Sequence, residues 1–393
     1  MRNLEELYGA HNYQPLDVVI ERAHGVWLFD TDGKRYLDCV SAYSAVSQGH
    51  CHPRIAAALI EQAKKVTLTS RAMRNDRLGP FLQRLVQVCG YETALPMNTG
   101  VEAVETAIKL ARRYAYERLR VAPDTAEIVV FENNFHGRTT TAISASSTEA
   151  YRQGFGPFMP GFVLIPYGDI DALRGALGPH TCAILIEPIQ GEGGVIVPPD
   201  GFLTDAFRLC RENRVLFIAD EIQTGFGRTG DLFACDHEKL KPDVLIVGKA
   251  LGGGYYPISA ILASRELMEL FGPGDHGSTF GGNPLAAAVG IASLDVIVDE
   301  NLAGRARRAG EKLTRALRDL HAPVIKEIRG RGLLIGLELS TSARRLADRL
   351  LEHGVVAKDT HASVLRIAPP LIIEDQEIDF LVSALSAALR ASP

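Results

Sequence analysis

The sequence predicts an α/β fold, with a large domain whose mostly parallel sheet is covered by helices and a smaller α+β domain formed by the C-terminal part and the N-terminal segment. Three observations predict it. Between residues 127 and 263, short apolar runs alternate with amphipathic stretches, the pattern of strands buried on both faces of a parallel sheet. Two of these runs end in ionisable residues beside turns: Asp220 closes VLFIAD (215–220), and Lys249 follows VLIVG (244–248). Beyond about residue 301 the chain changes to an Arg-rich helix, alternating strands and a last helix. A chain of 393 residues is too long for one simple core. The expected division is an N-terminal segment (1–52), a large domain (53–301) and a small domain (302–393).

Composition excludes several function classes. A net charge of −5 gives no reason to expect nucleic acid or an anionic membrane as partner. No apolar run approaches membrane-spanning length, and the first residues lack the blocks of a signal or transit peptide, so a cytoplasmic protein is expected. The six cysteines are scattered without a CxxC pair, which fits reduced structural thiols. His50, Cys51 and His52 lie together, but without a second ligand cluster they read as capping and loop residues, and no metal is expected.

Taken in order, residues 26–38 alternate around Asp32-Gly33, a hairpin signal. Tyr13 sits just before, on a stretch kept extended by Pro15, and Tyr43 lies in the polar loop 41–53. Helical periodicity marks 55–66 and 77–89. In PMNTGVEAVETAIKL (96–110), a turn with Gly100 opens a long amphipathic helix. Its N-terminus offers unpaired N–H groups suited to a phosphate, although Thr99 and Glu102 also have capping-box spacing. A strand at 127–131 leads into NNFHGRTT, where Phe135 offers an aromatic face and Arg138 a planar fork for a carboxylate, or merely a solvated side chain. The strand 181–187 leads into EPIQGEGG, in which glycines flank Glu192 and leave its carboxylate free to move. After the strand ending at Asp220 come Gln223 and the GFGRTG turn. Ser278 and Thr279 occupy the small-residue loop GSTFGGNP (277–284), which can bind phosphate or simply turn the chain. In the small domain, Gly330-Arg331-Gly332 reads as a turn, and Arg366 lies in VLRIAPP, where an unpaired guanidinium would be costly.

Lys249 alone could be a lysine snorkelling out of a loop. Paired with Asp220 on a neighbouring strand end, it meets the polar needs of a pyridine aldehyde: an amine able to form a Schiff base and an acid for the ring nitrogen. With these motifs the chain resembles, from about residue 13 to 370, the class III, or ω-amino, branch of the pyridoxal phosphate (PLP)-dependent aminotransferases of fold type I. The resemblance implies PLP held by Gly100, Val101, Phe135, Asp220, Gln223 and Lys249, with Thr279 reaching the cofactor phosphate of the partner subunit in a homodimer. It also implies Lys249 and Asp220 as the catalytic pair. Substrate contacts would come from Tyr13, Tyr43, Arg138, Glu192, Ser278 and Arg366. Tyr13, Tyr43 and GFGPFMPGF (154–162) point within this branch to ornithine as amino donor and 2-oxoglutarate, giving glutamate, as acceptor. His136 and the GFGRTG turn are shared more widely, which leaves acetylornithine, 4-aminobutyrate and lysine as alternative donors. By the same resemblance, Glu192 occupies Arg366 while ornithine reacts and swings away for 2-oxoglutarate.

Overall fold

The computed structural model describes residues 2–390. Near the N-terminus, β1 (Ile20–His24), β2 (Trp27–Asp30) and β3 (Arg35–Asp38) form an antiparallel meander whose β2–β3 turn falls at the expected Asp32-Gly33. Asp30 stitches that turn by accepting from the Asp32 and Lys34 amides and the Tyr36 hydroxyl.

The large sheet contains β4 (Thr93–Met97), β5 (Glu127–Phe131), β6 (Phe162–Ile165), β7 (Thr181–Ile186), β8 (Leu216–Asp220), β9 (Val244–Val247) and β10 (Ser259–Ala263), in spatial order β4-β10-β9-β8-β7-β5-β6. The β6-β5-β7-β8-β9 pairings are parallel, and β10 runs antiparallel to both neighbours. Strands β7 to β10 are buried at every residue, as expected for a sheet covered on both faces. The helices Gly100–Tyr114 and Phe202–Asn213 help to cover it, their apolar sides meeting separate parts of the core.

In the C-terminal part, β11 (Ile325–Arg331), β12 (Leu334–Leu339), β14 (Lys358–His361) and β15 (Val364–Ile367) form an antiparallel sheet ordered β11-β12-β15-β14. Here β11 continues through Arg331, so the chain turns at Gly332-Leu333, one step later than expected. Gly332 has φ +56°, and a Cβ there would lie 2.4 Å from the Thr229 carbonyl carbon, so only glycine fits. The short β13 (Val355–Val356) pairs parallel with β3, which joins the N-terminal meander to the C-terminal part, as the expected smaller domain requires.

Candidate active site

Asp220 ends β8, and Lys249 stands two residues beyond β9, the adjacent parallel strand. Ligands bind at such carboxyl ends in α/β sheets. Both residues line one cavity of about 190 Å³, together with Gly100, Val101, Phe135, Glu192 and Gln223. Seven of the thirteen expected site residues therefore meet on a single surface.

The floor of this cavity is polar and largely buried. Asp220 accepts from the Ile222 amide at 3.1 Å and shares a 2.7 Å bond with His136 Nδ1. Burial opposes a charged imidazole, but the bond to Asp220 and the charges of Asp220 and Glu187 hold His136 above its ordinary pKa. Glu187 accepts from the Phe135 amide at 2.9 Å, and burial pushes its carboxyl up to about 7. Lys249 makes no hydrogen bond or ion pair among the described residues, and burial pushes its amine down to about 8. A neutral fraction of this nucleophile is thus present near neutral pH.

Above the floor, the helix Gly100–Tyr114 begins with the complete capping box read from the sequence: Thr99 Oγ1 accepts from the Glu102 amide, and Glu102 accepts from the Asn98 and Thr99 amides. The box leaves the Gly100 and Val101 N–H groups without acceptors among the described residues, and both residues line the cavity. Capping and anion binding are therefore compatible at this terminus. A Cβ on Gly137 would come within 2.4 Å of Val101 Cγ2, so this close packing requires glycine there.

At the other end, Arg366 donates to Glu192 Oε1 at 2.6 Å, and Gln223 Nε2 donates to the same oxygen at 3.1 Å. The Arg366 side chain is 3% exposed, so the guanidinium end of this ion pair is nearly dry. Burial opposes ionisation of Glu192, but the charges of Arg366 and Lys249 hold its carboxyl below the ordinary value. The Tyr43 ring lies 5.0 Å from the guanidinium. Arg138 stacks on Tyr151 at 3.7 Å and has no carboxylate partner among the described residues. Tyr13 is 80% exposed and is linked to the site only by the electrostatic influence of its phenol on Tyr43.

Ser278 and Thr279 do not line this cavity. Ser278 Oγ accepts from Asn98 Nδ2 at 2.7 Å, and Thr279 is exposed. His50 bonds Asp38 and His52 bonds Glu300, and no group able to hold a metal is found among the described residues. No helix among them is long and apolar enough to cross a membrane. The sequence reading missed the His136 bond to Asp220. Its signal was available: a histidine beside Phe135, just past the carboxyl end of β5, two strands from β8.

The cavity offers phosphate donors at one end, a carboxylate on its floor and an unpartnered amine beside it. The Oε1 of Gln223 and Nε2 of His136 are also buried without partners. These groups fit pyridoxal phosphate, and fold and site together define a pyridoxal phosphate enzyme. The class III aminotransferase model matches residues 8–389, and the chain belongs to that family. It is 56% identical over 383 residues to the ornithine aminotransferase of Bacillus subtilis (strain 168), covering 98% of this chain and 96% of the relative. The solved ornithine aminotransferase of Toxoplasma gondii, whose crystals held PLP at partial occupancy, superposes with a TM-score of 0.98 at 45% identity, covering 99% of this chain and 93% of that one. The acetylornithine aminotransferase of Elizabethkingia anophelis gives 0.91, also at 45% identity, covering 100% and 98%.

Proposed function

We propose that this enzyme moves the δ-amino group of ornithine to 2-oxoglutarate, releasing glutamate 5-semialdehyde, which cyclises unaided to pyrroline-5-carboxylate, and glutamate. The observation that carries the reading is the Arg366–Glu192 pair, whose Glu192 lines the cavity that holds Lys249. A pocket for α-amino acids alone needs Arg366 free for the α-carboxylate. A pocket that also takes a terminal amine needs Arg366 masked, and Glu192 masks it.

Pyridoxal phosphate, when bound, supplies a carbonyl for the amino group and a pyridinium that withdraws electrons from the carbon losing its proton. Gly100 and Val101 would hold its phosphate by backbone N–H groups, and Phe135 would cover the ring. Gln223 would serve the phenolic oxygen, and Asp220, oriented by His136, would keep the proton on the pyridine nitrogen. Lys249 Nζ takes the proton from the substrate carbon and returns it. For ornithine, Arg138 and Tyr13 hold the distal carboxylate and amine, with Tyr43 packing alongside. For 2-oxoglutarate, Glu192 swings away, and Arg366 takes the α-carboxylate while Arg138 takes the other.

We infer a homodimer from Ser278 and Thr279, which lie away from the cavity of their own chain and would complete the partner's, Thr279 at the phosphate and Ser278 beside the substrate. The boundaries at 52/53 and 301/302 and a cytoplasmic location belong to the same reading; the six cysteines without disulfides fit a reducing compartment. The experiment is single-turnover bleaching of the cofactor absorbance by ornithine, acetylornithine, lysine and 4-aminobutyrate side by side. Ornithine should bleach it fastest, and a faster reaction with acetylornithine would replace this proposal.

A further inference from the structure

Glu192 stands at the tip of a small loop closed by the bridge between Gln190 and Ile196, whose amides and carbonyls exchange bonds of 3.0 and 2.9 Å. The sheet that carries Arg366 grips this loop by its backbone. On β14, Thr360 Oγ1 donates to the Glu192 carbonyl at 2.9 Å. On β11, Arg329 donates to the Gly194 carbonyl at 3.0 and 2.8 Å and to the Val195 carbonyl at 3.1 Å. Arg329 is itself fixed by Glu338 at 3.0 Å and Glu327 at 2.8 Å, and Ser363 steadies Glu338.

Two further features show that the loop backbone is held in place. Val195 is fully buried at φ +54°, a conformation that a β-branched residue adopts only when its surroundings impose it. A Cβ on Gly336 of β12 would lie 2.9 Å from Val195 Cβ, so the loop lies directly against the sheet. The loop therefore has little room to hinge, whereas the Glu192 side chain is 24% exposed and, among the described residues, bonds only Arg366 and Gln223.

We propose that Thr360 and Arg329 are positioning residues that lock the 190–196 loop to the sheet bearing Arg366, so that the gate opens by rotation of the Glu192 side chain alone. By pre-setting the carboxylate against Arg366, they bias the enzyme toward substrates reacting at a terminal amine. This rests on the gate reading above. Neither residue lines the cavity, and their effect passes through Glu192.

The test compares Thr360→Val, which keeps shape but loses the hydroxyl, and Arg329→Lys, which keeps charge but loses the fork, with Glu192→Gln as reference. Each holoenzyme is assayed for the ratio of kcat/KM with ornithine to kcat/KM with glutamate. Affinity for glutarate, an unreactive dicarboxylate that competes for Arg366, is measured by calorimetry. Losing one such hydrogen bond should lower the ratio and tighten glutarate by about two- to tenfold, and amide exchange should quicken in 190–196. If both variants match the parent while Glu192→Gln shifts ratio and affinity, the clamp is refuted and the gate stands. If Glu192→Gln also shifts nothing, gate and clamp fall together.

Discussion

Replacing Glu192 with Gln tests the masking of Arg366 with little change of shape. The amide oxygen can still accept from Arg366 and Gln223, so the change removes charge rather than contact. A hydrogen bond to a charged group contributes about 1.5–3 kcal/mol; after the substitution only the Arg366 side of the bond is charged, so closure should weaken by about 1–2 kcal/mol, less than the whole bond. At about 1.4 kcal/mol per tenfold, this corresponds to roughly five- to thirtyfold in the competition for Arg366. An incoming α-carboxylate brings the full charge that the amide lacks, and the nearly dry guanidinium will favour it. Stopped-flow bleaching of the cofactor band with ornithine and with glutamate should therefore show the ornithine preference falling by that factor. The glutamate reaction should be retained or quickened. A ratio equal to that of the parent enzyme would mean that Glu192 does not compete with substrate carboxylates, and the reasoning would fail.

Three other outcomes can be checked. Lys249→Ala should lose both transamination and the visible absorbance of the bound cofactor; in the parent apoenzyme, cofactor uptake should rise with pH and level off above about 8, because only the neutral amine attacks a carbonyl, and a rate flat through that region would contradict the assignment. Glu187, with its folded pKa raised from 4.5 to about 7, contributes stability that is complete below 4.5 and lost as pH rises through about 7. Apoenzyme Glu187→Gln should therefore gain on the parent across that window, on the order of 1–3 kcal/mol by urea titration, and parallel curves would refute the shift. Ala42→Gly should raise the urea midpoint by roughly 1 kcal/mol of stability, since residues 41 to 44 all have positive φ without a glycine among them, and a lowered midpoint would show that the turn is not strained.

That left-handed turn marks where the sequence stops being informative. The residues Ser41, Ala42, Tyr43 and Ser44 carry no local signal for φ values of 50°, 45°, 59° and 78°. The conformation is held from afar by Ser41 Oγ donating to the Ala368 carbonyl, and locally by Asp38 accepting the Val40 and Ser41 amides. Local features were legible because their causes are local: the capping box at Thr99 needs only Glu102, and the hairpin needs only Asp32-Gly33. The ends of β8 and β9 could be placed because buried parallel strands read as unbroken apolar runs. The reversal of β10 could not, because a buried strand has the same composition in either direction. The grip of Arg329 and Thr360 on the Glu192 loop joins residues more than 130 positions apart, and both look like ordinary polar residues of small-domain strands.

The gate also has an electrical consequence for the base. Lys249 feels Glu192, which favours its charged form, and Arg366, which disfavours it, and these are the two largest influences on it after burial. While the pair is closed the two oppose each other. If Glu192 left and nothing replaced it, the positive charge of Arg366 would stand uncompensated and make Lys249 a poorer proton acceptor. On the gate proposed above, the α-carboxylate of 2-oxoglutarate or glutamate would arrive where the Glu192 carboxylate had been, and so would restore the missing negative charge as it opens the gate. One base would then serve both half-reactions at similar acidity, because in each of them Arg366 would face a carboxylate, first the protein's own and then the substrate's.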